Sequence, residues 1–197
     1  FNGWSGGGGH GGEGGDGTRF VGGNAYGSSN GPILPGSGGG YYPGGGGSDA
    51  GGVIRIESSG RLVLHGTLTA NGISGGFAAG GGAGGSIFLV CRDFSGDSFG
   101  ALRANGGNGD APGPSGSGGG AGGRVAIWEN VPDPIRTRIL QGSTAGGVLR
   151  ATTDPDYLGA LAATNGTGFY APPDARSAEP GSLWFFTAHQ ALLLKIQ

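Results

Sequence analysis

Three residues of metal-ligand type recur near the start of the chain, where His10, Glu13 and Asp16 follow one another at intervals of three with Gly-Gly between them. Imidazole nitrogens and carboxylate oxygens are ligands for Zn²⁺ and Ca²⁺. However, three residues of an extended three-fold helix advance about 9 Å, whereas a shared ion needs its ligand atoms within about 2–2.6 Å. The spacing therefore argues against a common metal site and predicts three solvated residues along one edge of a glycine-rich helix.

Two glycine-rich segments, 11–17 and 105–110, are superficially similar to the glycine-aspartate repeats that bind calcium. That mechanism needs tandem nonapeptides, and the tandem spacing is missing from this chain. An isolated calcium ion at Asp16 or Asp110 stays open as an alternative. We predict no metal site and no cofactor.

No constellation of nucleophile and base indicates catalysis. Ser117 lies inside a glycine tract, whereas a nucleophile elbow needs a strand-to-helix turn, and the single lysine, Lys195, has no phosphate-binding loop before it. The acidic residues sit mostly beside glycine or proline, where the burial that raises a carboxyl pKa is not expected. We predict that the chain is not an enzyme.

A sequence repeat predicts the framework that would hold these residues in place. Gly-Gly followed by an apolar run begins at Gly51, Gly84 and Gly122, which are 33 and 38 residues apart. A repeat of this length with short strands is typical of a β-solenoid, and an antiparallel meander or sandwich is the competing arrangement. We predict a mainly β fold with little helix, whose principal strands are Val53–Glu57, Ile87–Cys91, Arg124–Trp128 and Ser182–Phe186.

Glycine supplies 53 of the 197 residues. Polyglycine can adopt an extended three-fold helix of the polyproline II type, in which bare backbones approach closely and exchange hydrogen bonds. We predict that the tracts form an ordered bundle of this kind, with mobile loops as the alternative. The tracts are 6–9, 38–40, 44–47, 80–82 and 118–120.

The composition changes after Asn130, which predicts a glycine-rich repeat domain over 1–130 and a C-terminal β segment over 131–197. Within that segment Ile135–Leu140 is predicted as a strand. The apolar residues near the C-terminus should not face water, so the segment either completes the core or docks on a neighbouring subunit. The candidate self-assembly residues are Trp184, Phe185, Phe186, Leu192, Leu193, Leu194 and Ile196.

The charge and hydropathy patterns exclude two classes of partner. The net charge is −2 and no run of basic residues exists, so the surface that tracks nucleic-acid phosphates is not expected. No apolar run approaches the roughly 18–20 residues of a membrane span. The chain begins with Phe1 and ends on an apolar stretch, which we interpret as a processed protein or a fragment without its targeting segment.

The Gly-Gly start, the strand, the Ala-Asn-Gly mark at Ala70 and Ala104, and the following glycine tract together resemble the repeats of large glycine-rich secreted and cell-surface proteins. The resemblance covers residues 6–130 and implies an extracellular, β-rich, structural or adhesive role. The tracts are also similar to the polyglycine-helix bundles of some antifreeze proteins and phage tail-tip adhesins, although here the triplet rule holds only locally.

These observations predict a secreted or cell-surface structural protein that assembles with copies of itself into a fibre or surface layer, with surface polysaccharide as a further partner. The alternative is an adhesin, or an ice- or glycan-binding module, in which Trp4, Tyr41 and Tyr42 are exposed on a flat surface. In a secreted eukaryotic protein the Asn165-Gly166-Thr167 triplet would be a glycosylation site at Asn165.

Overall fold

A computed structural model describes residues 4–41, 46–110, 116–142, 148–169 and 175–188. It is mainly β with little helix, 28% strand and 5% helix, as the sequence predicts. The strands are β1 Val53–Glu57, β2 Arg61–Leu64, β3 Thr67–Thr69, β4 Ser86–Cys91, β5 Asp93–Gly96, β6 Ala101–Arg103, β7 Arg124–Glu129, β8 Val148–Ala151, β9 Ala160–Ala162 and β10 Ser182–Ala188. They lie in three sheets of five, two and three members, in the orders β1-β4-β7-β10-β8, β2-β5 and β3-β6-β9.

Successive repeats pair with one another in parallel. Val53 of β1 faces Ser86 of β4, and Ser86 faces Arg124 of β7. In the same way β2 pairs with β5, and β3 pairs with β6. The antiparallel meander is therefore wrong for these strands, and β8 is the single described strand that runs antiparallel to its neighbour β10.

The principal core lies between the three sheets. In β1 exposed and half-buried residues alternate, as expected for a strand with one face exposed to solvent. In contrast, β4 is buried throughout. The even-numbered side chains of β1 and their counterparts in β4 and β7 point inward. The buried members of this core are Ala70, Ile87, Leu89, Cys91, Phe94, Leu102, Ala104, Val125, Ile127, Tyr157 and Phe185.

A second core covers the other face of the five-stranded sheet. It explains why β4 and β7 carry consecutive apolar residues, since a strand buried on both faces reads as an unbroken apolar run. The Trp128 ring packs edge-on against Phe88 with ring centres 5.0 Å apart. The buried members are Phe88, Val90, Ala126, Trp128, Val131, Ile139 and Phe186.

The prediction of a strand over Ile135–Leu140 is wrong, because Asp133–Leu140 is a helix, α1. Proline is favoured in the first turn of a helix, where its missing N–H costs nothing, and Pro134 occupies that turn. Asp133 also lies in the first turn, with its carboxylate 3.0 Å from the Arg136 guanidinium. The helix buries Ile139 in the second core.

The glycine-rich segments exchange backbone hydrogen bonds with one another. From residue 80 to residue 85, consecutive N–H groups donate in rotation to the segments 37–40, 118–121 and 70–73, and each segment is reached again three residues later. The bonds are Gly80 to Gly40, Gly81 to Gly118, Gly82 to Ile73, Ala83 to Ser37, Gly84 to Ala121 and Gly85 to Ala70, with N···O distances of 2.7–3.3 Å.

The described part of the segment after residue 130 continues the same sheets. β10 lies beside β7 in parallel register and β9 lies beside β6, while Phe185 and Phe186 enter the first and second cores. The predicted boundary at residue 130 is thus crossed by two sheets, and the division into two domains stays a prediction.

Candidate functional site

The predicted self-assembly residues on β10 lie inside this chain. Phe185 and Phe186 are buried, and β10 is hydrogen-bonded on both sides, to β7 and to β8. Trp184 is half-buried, with the Arg150 guanidinium carbon 3.4 Å from its ring centre. These side chains contribute to the fold of the single chain, and their role in self-assembly stays a prediction.

Other predicted residues lie partly outside the described part of the chain. Leu192, Leu193, Leu194 and Ile196 fall outside it, as does Tyr42. Tyr41 is exposed, whereas Trp4 is half-buried against Phe77 with ring centres 5.9 Å apart. Asn165 is exposed, as a modified asparagine would have to be.

The prediction that His10 is solvated is wrong, since its side chain is 0% exposed. Its Nδ1–H donates to the Gly84 carbonyl at 2.9 Å, and its ring packs against Tyr26 with ring centres 5.0 Å apart. Arg124 Nη2 donates to the His10 carbonyl at 3.2 Å and to the Tyr26 carbonyl at 2.9 Å. These hydrogen bonds, which we call the clamp, join the first glycine-rich segment to the residues just before β4 and to β7. No sequence signal marks it, because the partners lie 74 and 114 residues away.

The clamp predicts a loss of stability in mild acid. Burial lowers the pKa of His10, and the nearby Arg124 charge lowers it further. Below pH 6.5, the ordinary pKa of histidine, His10 is protonated in the unfolded chain but stays neutral in the folded chain. The free energy of unfolding therefore falls as the pH drops below 6.5, by up to about 1.4 kcal/mol per pH unit.

The measurement is urea unfolding of the wild type at pH 7.5 and pH 5.5, compared with two variants. His10→Gln should be less stable at pH 7.5 but should lose less on acidification. His65→Gln removes an exposed histidine instead and should lose more stability on acidification than His10→Gln does. An equal loss in all three proteins would contradict the role given to His10.

Glu13 and Asp16 form an ion-pair network with Arg176. Arg176 Nη1 lies 2.7 Å from Glu13 Oε2, and Arg176 Nη2 lies 3.3 Å from Asp16 Oδ1. The Asp16 carboxylate also accepts the N–H groups of Gly22 and Arg176, and these bonds lower its pKa against the opposing effect of burial. Within the described residues no group of three or more His, Cys, Asp or Glu side chains is arranged to hold a metal ion.

An acidic cleft of about 420 Å³ lies beside the ends of β7 and β10. Burial raises the pKa of Glu129, whose carboxylate nevertheless accepts the Phe94 N–H at 3.0 Å.

Burial also raises the pKa of the nearby Cys91 thiol to about 12, and the neighbouring carboxylates add to this rise. A thiol with so high a pKa is protonated and unreactive at neutral pH. The carboxylates that line the cleft are Asp93, Glu129, Asp154 and Asp156.

The first repeat forms one end of the stack of strands, and its strands have a hydrogen-bonded neighbour on one side only. Its strands β1, β2 and β3 each form an edge of their sheet, and we call this surface the open rung. Its inward side chains are half-buried, whereas their counterparts one repeat further on are almost completely buried. Ile54, Ile56, Leu62 and Leu68 thus correspond to Ile87, Leu89, Phe94 and Leu102, which are 0–1% exposed.

Comparison of the chain with protein-family models, with curated proteins and with solved structures finds no match. Among the described residues no helix has the length and apolar character needed to cross a membrane.

Proposed function

We propose that this chain is an extracellular structural protein that assembles with copies of itself into a fibre or a surface layer. The observation that carries the proposal is the open rung, since an edge strand with free N–H and C=O groups is a template for pairing with another chain. The half-buried aliphatic side chains behind that edge would be buried by the same contact.

The pairing of successive repeats supports a short β-solenoid as the building unit. Three strands of one repeat, β1 to β3, lie beside three strands of the next, β4 to β6, in matched register. In stacked repeats each unit buries the apolar face of its neighbour, and an end unit needs a cap or a partner.

The glycine segments support an ordered polyglycine II-like bundle packed against that stack. A three-residue rotation of hydrogen-bond direction, as in residues 80–85, is the period of a polyproline II helix. Side chains would prevent this approach, since a Cβ built on Gly81 or Gly120 would lie 1.9 or 2.1 Å from a carbonyl oxygen of another segment. A bundle of this kind is rigid and uncharged, which suits a protein whose role is mechanical.

A second candidate function, glycan or ice binding by an adhesin, rests on a groove of about 320 Å³. Its floor is bare backbone at residues 6–8, and Phe20, Val21 and Tyr41 form its exposed rim. Flat aromatic and glycine surfaces of this type suit a sugar ring or an ordered water layer. The groove would then be the functional surface and the open rung would be incidental.

Negative-stain microscopy of the purified full chain over a range of concentrations separates the two functions. The structural proposal predicts regular filaments or sheets that increase with concentration. Monodisperse single particles at every concentration, with binding to an immobilised polysaccharide that is lost in a Tyr41→Ala variant, would overturn it in favour of the adhesin.

A further inference from the structure

We infer that the open rung is an interface at which a second copy of this chain docks head to head about a two-fold axis, so that β1 pairs antiparallel with β1 of the second copy. This inference rests on the proposed function, because it names the surface through which copies first associate. A two-fold contact is closed, so a fibre would grow from the resulting dimer through a second contact elsewhere on the chain. The inference is carried by the direction of the free backbone groups, the unfinished core and the charge pattern of β1.

The backbone of β1 offers alternate residues to a partner. Ser86 N–H donates to the Gly52 carbonyl at 3.0 Å, and Ser58 N–H donates to the Val90 carbonyl at 2.8 Å. The even-numbered residues of β1 thus point their N–H and C=O groups toward β4, and in a parallel ladder the groups of the residues between them point the other way. The groups of Val53, Arg55 and Glu57 therefore face the free edge.

The charges of β1 are self-complementary in one antiparallel register. Arg55 and Glu57 are two residues apart, both exposed, and bonded to each other within the strand. If Ile56 lies opposite Ile56 of the second copy, each Arg55 lies opposite a Glu57, and the contact is made twice by symmetry. Moving the register by one hydrogen-bonded step places Arg55 opposite Arg55, and like charges directly opposite destabilise a sheet.

The same docking completes the core. The side chains of Ile54 and Ile56 point inward and pack against the principal core from its open end. A two-fold axis perpendicular to the stack brings β2 of one copy against β3 of the other, so that Leu62, Leu64 and Leu68 are covered together with the isoleucines. Burial of these five side chains supplies the apolar contribution that backbone pairing alone lacks.

A second copy is a better partner for this edge than an unrelated strand for two reasons. An unrelated strand would have to supply an acid and a base at the matching positions, whereas a second copy supplies both by symmetry. The opposite end of the five-stranded sheet differs, because there the antiparallel strand β8 covers β10. Among the described strands, the open rung is therefore the end of the five-stranded sheet whose last strand belongs to the parallel stack.

Charge reversal with mixing tests this interface by sedimentation velocity. The wild type should form dimers, and R55E or E57R alone should weaken dimerisation at least tenfold, because each places like charges opposite in both symmetric contacts. An equimolar mixture of the two variants should recover the dimer, since one copy is then negative and the other positive at both positions. R103E, an exposed arginine of the interior strand β6, is the matched control and should dimerise like the wild type.

Recovery in the mixture distinguishes pairing between copies from the bond between Arg55 and Glu57 within one strand, which mixing cannot restore. A wild type that stays monomeric at about 100 µM has a dimer dissociation constant well above that concentration. That result, or a mixture that stays monomeric, would overturn the inference. Dimers without filaments would retain the inference and overturn the fibre proposal. Filaments that form equally well from R55E would retain the fibre proposal and overturn this interface.

Discussion

Replacing Gly118 by alanine is expected to lower the free energy of unfolding by about 3 kcal/mol or more. A Cβ at this position would lie 1.8 Å from the Gly15 carbonyl oxygen and 2.8 Å from the Gly7 nitrogen. Both obstacles are backbone atoms of neighbouring glycine segments, so neither can rotate away as the end of a side chain could. Relief requires the segments to separate, which breaks the bond between the Gly118 N–H and the Ser5 carbonyl. Urea unfolding monitored by circular dichroism measures the loss.

Gly66→Ala is the matched control for this prediction. Gly66 lies at the corner between β2 and β3, and a Cβ there would meet nothing within 4 Å. Alanine also narrows the unfolded ensemble, so stability should stay unchanged or rise by about 0.4–1 kcal/mol. A Gly118→Ala protein as stable as the Gly66→Ala protein would mean that the glycine segments do not lie backbone against backbone.

Replacing Phe94 by alanine should cost about 3–5 kcal/mol, the usual range for removing a buried aromatic ring. Phe94 is 1% exposed and lies between Tyr157 and Phe185, with ring centres 5.1 and 6.2 Å away. It thus joins β5 of the two-stranded sheet to β10 of the five-stranded sheet, through the core that the three sheets share. Guanidinium unfolding of the variant measures the loss.

Phe99, five residues further on, is 81% exposed and provides the control. Phe99→Ala should change stability by less than about 0.5 kcal/mol. If the two alanine variants were equally stable, the sheets would not share one core, and the stack of repeats would lack the rigidity that a structural role requires.

The repeat allowed the main strands to be predicted from the sequence. Val53–Glu57 is β1 as predicted, and the other three predicted strands are confirmed within one or two residues at their ends. These predictions succeeded because each strand is a continuous or alternating apolar run bounded by glycine. Parallel pairing could not be read from the same runs, since a parallel and an antiparallel arrangement can bury the same residues.

The features that the sequence analysis missed depend on distant partners. The burial of His10 follows from Gly84 and Arg124, which its own triplet spacing does not reveal. The aromatic run of β10 predicts an association surface, but its own residues do not reveal that β7 and β8 lie on either side of the strand. Helix α1 was missed for a local reason, because its apolar residues are few and its start is marked only by Pro132, Asp133 and Pro134.

The open rung was also not predicted, although its strand was. The sequence shows three similar repeats and gives no sign of which one has a neighbour on only one side. The half-burial of Ile54 beside the complete burial of Ile87 carries that information, and it exists only in the folded chain.

Amide hydrogen exchange of residues 80–85 and 120–123 tests most directly whether hydrogen-bonded glycine backbone forms the interior of this protein. The account predicts that these N–H groups exchange as slowly as those of the buried strand β4, because each is bonded to another segment and opens only with global unfolding. Exchange at the rate of an open chain, while β4 stays protected, would contradict it and would make the glycine segments mere connections between strands.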